Sequence, residues 1–494
     1  MLYHSTRDKS VQKKSAETIV QGLSFDGGLF VPETVPAINE NYINELVDMR
    51  YPNRVVEVLK LFCDDFSNDE LSLFAERAYG GKKFGHEDVA PVQKAGGAYF
   101  LELWHGPTCA FKDFALQILP ELLTASMAKT DEKRDVCILV ATYGDTGKAA
   151  LEGFCDVART KILVFYPRDG VSEVQKLQMV TQTGDNVSVV SVNGNFDDAQ
   201  TGVKVIFSDT DLRERLNKKG VFLSSANSIN CGRFIPQIAY YFSAYCDLIK
   251  TGEIKTGDKI NFCVPTGNFG NILAGYYAMK MGLPINKLIC ASNENDVLTE
   301  FISTGVYNRN RTFYTTSSPS MDILVSSNLE RLVYELSGKD DALIRSYMKA
   351  LSEDGIYEVS DSIKKNIAEI FDCGSTDETE TKRTIKALFE SENYLIDTHT
   401  AVAHNVLKKY REKTGDMTKT VVVSTASPYK FCDQVLEALG HNSNGLSAAQ
   451  LIEKLEEVTK TSAPVPLSAL NTKKVRFTDA VEKDGTLAAV EAFI

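Results

Sequence analysis

The sequence predicts an α/β protein with a parallel sheet covered by helices on both faces. The main observation is that, from about Tyr99 onward, short apolar runs rich in β-branched residues alternate with amphipathic runs of helical period. The chain has 494 residues, which is enough for two or three domains with their own cores. Hydrophobic residues make up 43% and charged residues 24%, which are ordinary values for a globular protein.

The alternating pattern predicts the individual elements in chain order. Strands are predicted at residues 136–142, 161–166, 187–192, 221–224, 259–265 and 287–291. Helices are predicted at residues 146–157, 172–182, 197–209, 233–250 and 272–281. The later run 418–424 is too apolar to remain exposed, so we expect it to rejoin the sheet as a further strand.

The regions before and after this alternating segment have a different hydrophobic pattern. Residues 1–95 contain short helical patterns and predict a small helical cap. Residues 321–450 are mostly helical by period and include an acidic, poorly apolar loop at 375–381. Residues 431–494 predict a helical tail with a short strand.

Composition and charge exclude several classes of protein. The chain has 54 Lys and Arg against 66 Asp and Glu, and its net charge of −12 disfavours binding to nucleic acid. No apolar run approaches the roughly 20 residues that cross a bilayer, and the polar N-terminus predicts no secretory signal, so we expect a cytoplasmic protein without a membrane segment. The ten cysteines include no CxxC pair, which predicts reduced core thiols and no metal site.

The strand-to-helix turn at residues 265–271, with the sequence PTGNFGN, has the features of an anion site. Gly267 and Gly270 let the backbone approach an anion, and the helix that follows presents unpaired N–H groups. The turn is neither a Walker loop nor a GxGxxG motif. The alternative is an ordinary tight turn that uses glycine for its backbone conformation.

A second strand-to-helix turn, at residues 141–147, brings hydroxyls, backbone N–H groups and the carboxylate of Asp145 together. Such a turn suits a ligand that bears a carboxylate. The alternative is that Asp145 or Thr146 caps the helix that follows, and both interpretations can hold because capping and ligand binding use the same N–H groups.

Lys112 lies between Phe111 and Phe114 in an otherwise apolar run. Desolvation there would lower the pKa of the lysine and make it a nucleophilic amine. Together with a phosphate-binding turn, such a lysine indicates pyridoxal phosphate held through its aldehyde. The alternative is a lysine whose stem packs while its charged head reaches water. His399 lacks metal-ligand spacing and is interpreted as a packed polar residue.

These motifs, in this order, resemble those of threonine synthases, which are pyridoxal-phosphate enzymes of the tryptophan-synthase-β fold type. The matching segments are residues 5–7, 24–33, 105–115, 141–150, 193–200, 225–233, 265–271, 292–298, 318–331, 397–403 and 424–431. The resemblance implies two open parallel or mixed sheets covered by helices (fold type II). It also implies a cap at 1–95, a catalytic region at 96–430 whose smaller mobile part covers about 108–210, and a helical tail at 431–494.

The resemblance also implies the roles of individual residues. Lys112 corresponds to the lysine that bonds to the cofactor and moves protons. Thr425 corresponds to the hydroxyl partner of the cofactor's pyridine nitrogen, and Asp145 is expected to face the ring hydroxyl and the substrate carboxylate. The residues expected to hold the cofactor phosphate are Gly267, Asn268, Phe269, Gly270 and Asn271. The residues expected to bind the substrate are Thr142, Tyr143, Gly144 and Thr146, with Asn227, Ser228 and Arg233 on its phosphate.

The implied reaction converts O-phospho-L-homoserine and water to L-threonine and phosphate. Tyr143 stands where the family usually has serine, and its larger ring would occupy space in the loop that receives the substrate. Two alternatives therefore stay open. One is a related pyridoxal-phosphate lyase that acts by β-elimination or replacement on serine, threonine or a phosphoserine-like substrate, and the other is a relative of low activity. Family members with a long N-terminal cap are often monomeric, which favours a monomer over a homodimer.

Overall fold

The computed structural model describes residues 1–168 and 171–494, apart from the side chains of Phe196 and Asp197. The strands are β1 Leu2–Ser5, β2 Gln12–Lys14, β3 Phe30–Pro32, β4 Val92–Ala95, β5 Ala98–Glu102, β6 Asp135–Ala141, β7 Thr160–Pro167, β8 Val187–Val192, β9 Val221–Ser224, β10 Ile260–Pro265, β11 Ile285–Ser292, β12 Val306–Asn308, β13 Ile356–Glu358, β14 Phe371–Ser375, β15 Thr420–Ser424 and β16 Ala480–Val481.

The helices surround these strands. They are α1 Ser15–Gln21, α2 Glu40–Val47, α3 Tyr51–Phe62, α4 Asn68–Tyr79, α5 Asp113–Leu116, α6 Leu119–Lys129, α7 Asp145–Phe154, α8 Glu173–Val180, α9 Phe196–Ser208, α10 Thr210–Lys218, α11 Cys231–Phe234, α12 Ile238–Lys250, α13 Gly270–Met281, α14 Val297–Thr304, α15 Leu329–Leu336, α16 Asp341–Glu353, α17 Asp361–Ile370, α18 Glu378–Glu392, α19 Thr398–Thr414, α20 Cys432–Ala438, α21 Ala448–Thr459, α22 Val465–Ser468 and α23 Thr486–Phe493.

The larger sheet has six strands in the order β14-β11-β10-β15-β5-β4. All neighbouring pairs are parallel except β4 and β5, which form an antiparallel hairpin at one edge. Every residue of β10 and β15 is buried, as expected for strands covered by helices on both faces. The predicted return of the late apolar run to the sheet is confirmed, because β15 lies between β10 and β5.

The smaller sheet has five parallel strands in the order β16-β8-β7-β6-β9. Its edge strand β16 comes from the C-terminal tail and pairs with β8, which is far from it in the chain. The two sheets and their helices confirm the predicted α/β class. The sequence pattern did not show that the tail strand belongs to this sheet.

The N-terminal part contains the predicted helices and also an antiparallel sheet in the order β2-β1-β3. These strands have only three or four residues, which is too short for a period-2 pattern to be recognised. Helices α2 and α3 of the cap pack against α12. Arg54, which is buried, joins them by ion-pairing with Asp247 at 2.6 Å and donating to Ser243 Oγ at 2.7 Å.

Two sequence predictions are corrected by the structure. The predicted helix 233–250 is interrupted by a 3₁₀ turn at Ile235–Gln237, because Pro236 has no N–H to donate. The second half of the predicted loop 375–381 is the start of helix α18. Asp377 caps this helix by accepting a hydrogen bond from Glu380 N, and Glu378 and Glu380 lie in its first turn, where the helix dipole favours acidic side chains.

The domain limits at residues 95, 210 and 430 stay predictions. Each limit separates strands that belong to one sheet. Strand β4 lies before residue 96 but joins the larger sheet, β9 lies after residue 210 but joins the smaller sheet, and β16 of the tail also joins the smaller sheet. Within the proposed mobile part, residues 169 and 170 lie outside the described residues.

All ten cysteines are free thiols; eight are buried, and Cys155 and Cys373 are partly exposed. Among the described residues, no group of His, Cys, Asp and Glu side chains is arranged to hold a metal ion. In residues 1–168 and 171–494, no helix combines the length and hydrophobicity needed to cross a membrane.

Candidate active site

A cavity of about 580 Å³ lies at the carboxyl ends of strands from both sheets. The segments after β5, β15 and β10 meet there because these strands are neighbours in the larger sheet, and the segment after β6 faces them from the smaller sheet. The structure brings every sequence-predicted site residue to this cavity: Lys112, Thr142, Tyr143, Gly144, Asp145, Thr146, Asn227, Ser228, Arg233, Gly267, Asn268, Phe269, Gly270, Asn271 and Thr425.

The loop that carries Lys112 is fixed by hydrogen bonds at both of its sides. Asp113 accepts from Thr108 N at 2.9 Å and from Thr108 Oγ1 at 2.6 Å, which closes the loop on itself. Phe111 N donates to Thr425 O at 2.8 Å, which attaches the loop to the segment after β15. The backbone around Lys112 is therefore held by a buried network, and the lysine has little freedom to move as a whole.

Lys112 is 7% exposed, and its amine borders the cavity. Nζ lies 3.3 Å from Asp145 Oδ2, donates to Ser320 Oγ at 3.2 Å and stands 4.8 Å above the Phe111 ring. Burial lowers the pKa of Lys112, and although Asp145 raises it, the charge of Arg233 adds to the lowering. Lys112 is thus largely withdrawn from open solvent, and its amine meets water only through the cavity.

Asp145 is shared by two lysines. Lys430 Nζ lies 2.7 Å from Asp145 Oδ1, and Gln175 Nε2 donates to the same oxygen at 2.9 Å. Burial raises the pKa of Asp145, but the charges of Lys430 and Lys112 outweigh it and hold the pKa below its usual range. Asp145 is therefore an anion in a nearly solvent-free setting.

Sequence reasoning missed Lys430, which is fully buried. A signal was available: Lys430 lies in the apolar run SPYKF directly after the strand β15, so it had the same pattern that singled out Lys112. Gln175, Ser320 and Asn328 were missed as well. Ser320 and Asn328 lie in the matching segment 318–331, but neither was singled out within it, and only tertiary contacts show that these polar residues reach the site.

Helix α7 is not capped by Asp145 or Thr146, contrary to what the sequence indicated. Thr142 Oγ1 accepts from Gly144 N at 2.9 Å and from Gly147 N at 3.1 Å, so the cap is neither Asp145 nor Thr146. Gly144 has φ of 144°, which a residue with a side chain rarely adopts. Because Thr142 satisfies these donors, the Asp145 carboxylate is left to pair with the lysines.

The turn at 265–271 has the properties of a phosphate cradle. A Cβ on Gly267 would lie 2.5 Å from Ser320 O, so only glycine fits. Phe269 adopts φ of 63° immediately before α13, and its ring packs 5.9 Å from that of Phe371, away from the helix end. Asn271 Oδ1 accepts from two buried tyrosines, whereas its Nδ2 is a buried donor with no partner among the described residues.

The turn at 227–233 is a second place with an unsatisfied donor. Arg233 is buried, its Nη1 donates to Ala226 O at 2.9 Å, and its Nε has no partner in the described part of the chain. Burial lowers the pKa of Arg233 to about 10, and the guanidinium remains charged at neutral pH. Among the described ion pairs none includes Arg233, so an anion in the cavity would supply its missing partner.

His399 was interpreted as a packed polar residue, and the structure shows that it also lines the cavity. Its Nδ1 lies 2.8 Å from Asp397 Oδ2, and its Nε2 accepts from Ser320 N at 3.2 Å. These two contacts, one on each ring nitrogen, fix the orientation of the imidazole. His399 thereby fixes the backbone of Ser320, whose hydroxyl contacts both Lys112 and Asp145.

Comparison with known families agrees with this geometry. A family model described as "Threonine synthase N terminus" matches residues 2–79, and one described as "Pyridoxal-phosphate dependent enzyme" matches residues 89–426. A third, "Threonine synthase, C-terminal", matches residues 400–494. The chain belongs to the threonine synthase family. The resemblance inferred from the sequence motifs is confirmed.

Individual threonine synthases match along most of the chain. The threonine synthase of Pseudomonas aeruginosa is 38% identical over 463 residues, which are 93% of this chain and 95% of that protein. Threonine synthase-like 1 of Homo sapiens is 38% identical over 467 residues, which are 92% of this chain but only 60% of that longer relative. A crystal structure of PLP-bound threonine synthase from Brucella melitensis has a TM-score of 0.87 at 35% identity, covering 100% of this chain and 98% of that one. The predicted fold type II is thus confirmed.

The residues of the cavity fit pyridoxal phosphate, the cofactor of this enzyme family. Lys112 supplies a buried amine of lowered pKa, which is the group that an aldehyde requires. The turn at 265–271 supplies the N-terminus of α13 and the unpartnered Nδ2 of Asn271 for a phosphate. Thr425 borders the same cavity and offers a hydroxyl.

Proposed function

We propose that this protein is a threonine synthase, converting O-phospho-L-homoserine and water to L-threonine and phosphate. The observation that carries the proposal is that one cavity holds a buried lysine and two separate turns, 227–233 and 265–271, each with an unpartnered buried donor among the described residues. A phosphorylated cofactor requires one anion site, and a phosphorylated amino acid requires another. A lyase for an unphosphorylated amino acid has no use for the second.

In this proposal Lys112 holds the cofactor. Bound pyridoxal phosphate supplies an aldehyde for the lysine and a conjugated ring that withdraws electrons from the α-carbon of the substrate. Asp145 keeps the Lys112 amine oriented toward the cavity through the 3.3 Å contact. When uncharged, the amine can remove the proton at the α-carbon and later return it.

The substrate is proposed to bind between the two turns of the cavity. Its carboxylate meets the loop of Thr142, Tyr143, Gly144 and Thr146. Its phosphate meets Asn227, Ser228 and Arg233, where the fixed fork of a guanidinium suits a dianion. Keeping the released phosphate there favours addition of water to the remaining carbon skeleton over early release of an oxo acid.

Further parts of the proposal concern the whole protein. The cap at 1–95, the catalytic region at 96–430 and the tail at 431–494 are proposed as its domains, and the part at about 108–210 is proposed to close over the substrate and exclude water. We also propose that the protein is a cytoplasmic monomer.

The function is tested by loading the purified protein with pyridoxal phosphate and measuring phosphate release and threonine formation from phosphohomoserine. Borohydride reduction and peptide mapping of the same sample should place a cofactor tag on Lys112. Lys112→Ala should remain folded and lose both the tag and the activity. An untagged Lys112 in cofactor-supplied protein would reject the assignment of this residue.

Two alternative functions are distinguished by a substrate panel. A related lyase would release phosphate from phosphoserine, or deaminate serine or threonine, without acting on phosphohomoserine. A low-activity relative would bind the cofactor and form almost no threonine, and Tyr143, which lines the cavity, would be the first residue to examine.

A further inference from the structure

Two lysines share one carboxylate beneath the cavity. Lys430 is 0% exposed, lies 2.7 Å from Asp145 Oδ1 and donates to Thr108 O at 2.8 Å. Lys112 lies 3.3 Å from the other oxygen of Asp145 and borders the cavity. Lys430 is therefore the closer of the two partners, and it alone has a backbone carbonyl as a second acceptor.

Charge balance distinguishes the two lysines. One carboxylate compensates one ammonium, and a buried ammonium without compensation is costly. Lys430 has two oxygen acceptors and no access to water, so it keeps the carboxylate. Lys112 can release its proton to solvent through the cavity, and a nearby cation, Arg233, favours that release. Other charged or titratable groups near this pair in the described part of the chain include His399, Asp113, Asp322, Cys109 and Tyr143, and the side chains of Lys204 and Arg309 also line the cavity.

We propose that Lys430 is a positioning residue that neutralises Asp145 and so keeps Lys112 uncharged and reactive at neutral pH. The inference rests on the proposed role of Lys112 in the function above. Lys430 also ties Thr108, at the start of the Lys112 loop, to the segment after β15. One side chain thus sets both the charge and the place of the reactive amine.

The test measures the titration of Lys112 in the full chain without cofactor, by competitive acetylation with acetic anhydride at a series of pH values. Lys430→Gln keeps a donor for Thr108 O and removes the charge. The titration midpoint of Lys112 should then rise by about one pH unit, and its acetylation at pH 7.5 should fall about two- to threefold. Lys430→Arg retains the positive charge, so the titration midpoint of Lys112 in this variant should stay near the wild-type value.

A matched control is Lys161→Gln, which removes a lysine that donates to Phe493 O at 2.9 Å at the C-terminus and leaves the cavity intact. A folded Lys430→Gln variant with an unchanged midpoint for Lys112 would overturn the inference. If that variant does not fold, Asp145→Asn tests the same balance, since removal of the carboxylate should lower the midpoint, and an unchanged midpoint again overturns it. Failure of the proposed function is seen separately, as wild-type protein that forms no threonine.

Discussion

Asn328 Nδ2 donates a hydrogen bond to Ser228 Oγ at 2.9 Å. The same nitrogen donates to Asn268 O at 2.9 Å, so one amide joins the two turns proposed to bind the two phosphates. Because the Ser228 oxygen accepts from Asn328, its own proton remains available for an acceptor in the cavity. Arg331 supports this arrangement by donating to Ile229 O at 2.7 Å from a fully buried position.

Asn328→Ala should raise the KM for phosphohomoserine about tenfold, which corresponds to loss of roughly 1.4 kcal/mol when the two hydrogen bonds that align the turns are removed. Steady-state kinetics with phosphohomoserine measure the KM of each variant. Asn405→Ala is the control, because Asn405 is a buried asparagine that bonds Thr376 instead of either turn. Equal KM values in the two variants would mean that Asn328 does not set the spacing of the turns.

Arg233→Lys should weaken inhibition by inorganic phosphate about tenfold or more, because an ammonium cannot reproduce the fixed fork of donors. Arg134→Lys serves as the control, since Arg134 pairs with Glu132 on the surface. Inhibition constants in cofactor-loaded protein give the comparison. Unchanged inhibition in Arg233→Lys would place the phosphate elsewhere.

Gly267→Ala should lower the affinity for pyridoxal phosphate by at least tenfold, because its new Cβ would lie 2.5 Å from Ser320 O and push the turn out of place. In Gly85→Ala the nearest atom to the new Cβ is 3.6 Å away, so this variant should bind the cofactor normally. Spectroscopic titration with the cofactor measures both. The prediction is wrong if the two variants bind alike.

Asp113 gives the stability a defined pH dependence. Burial raises the pKa of Asp113 from 3.8 to about 6, so the folded state binds this proton more tightly than the unfolded state. Its stabilising contribution is complete below pH 3.8 and is lost as the pH rises through about 6. Relative to Asp113→Asn, which does not titrate, the wild type should lose on the order of 1–3 kcal/mol of unfolding free energy between pH 4 and 7. Urea unfolding at several pH values measures this, and a constant difference between the two proteins would contradict it.

Tyr143→Ser should raise kcat/KM for phosphohomoserine, because Tyr143 lines the cavity in the loop proposed to receive the substrate carboxylate. The smaller side chain leaves more room there. Kinetics on phosphohomoserine and phosphoserine show whether the gain is specific to one of them. A fall in kcat/KM for phosphohomoserine would show that the tyrosine contributes to binding or turnover.

Much of the fold and the site was predictable because its signals are local. The strand and helix order around residues 136–291 follows from hydrophobic period, and Lys112 was singled out by its apolar neighbours. The turn at 265–271 was recognised because two glycines stand between an apolar strand and the start of a helix. The three-stranded sheet of the cap and the cap of α7 by Thr142 were not predicted, because short strands and competing hydroxyls leave no distinct local pattern.

The sequence by itself determined the class of fold, and it predicted the reactive lysine and the two anion-binding turns, since each depends on residues close together in the chain. Only the tertiary structure decided which charges face one another. Lys430 and Lys112 both reach Asp145 because β15 and β5 are neighbours in the larger sheet, with the turn after β6 of the smaller sheet opposite them. Strand order depends on contacts between distant segments, and electrostatic interaction depends on distance in space, so neither can be derived from local patterns.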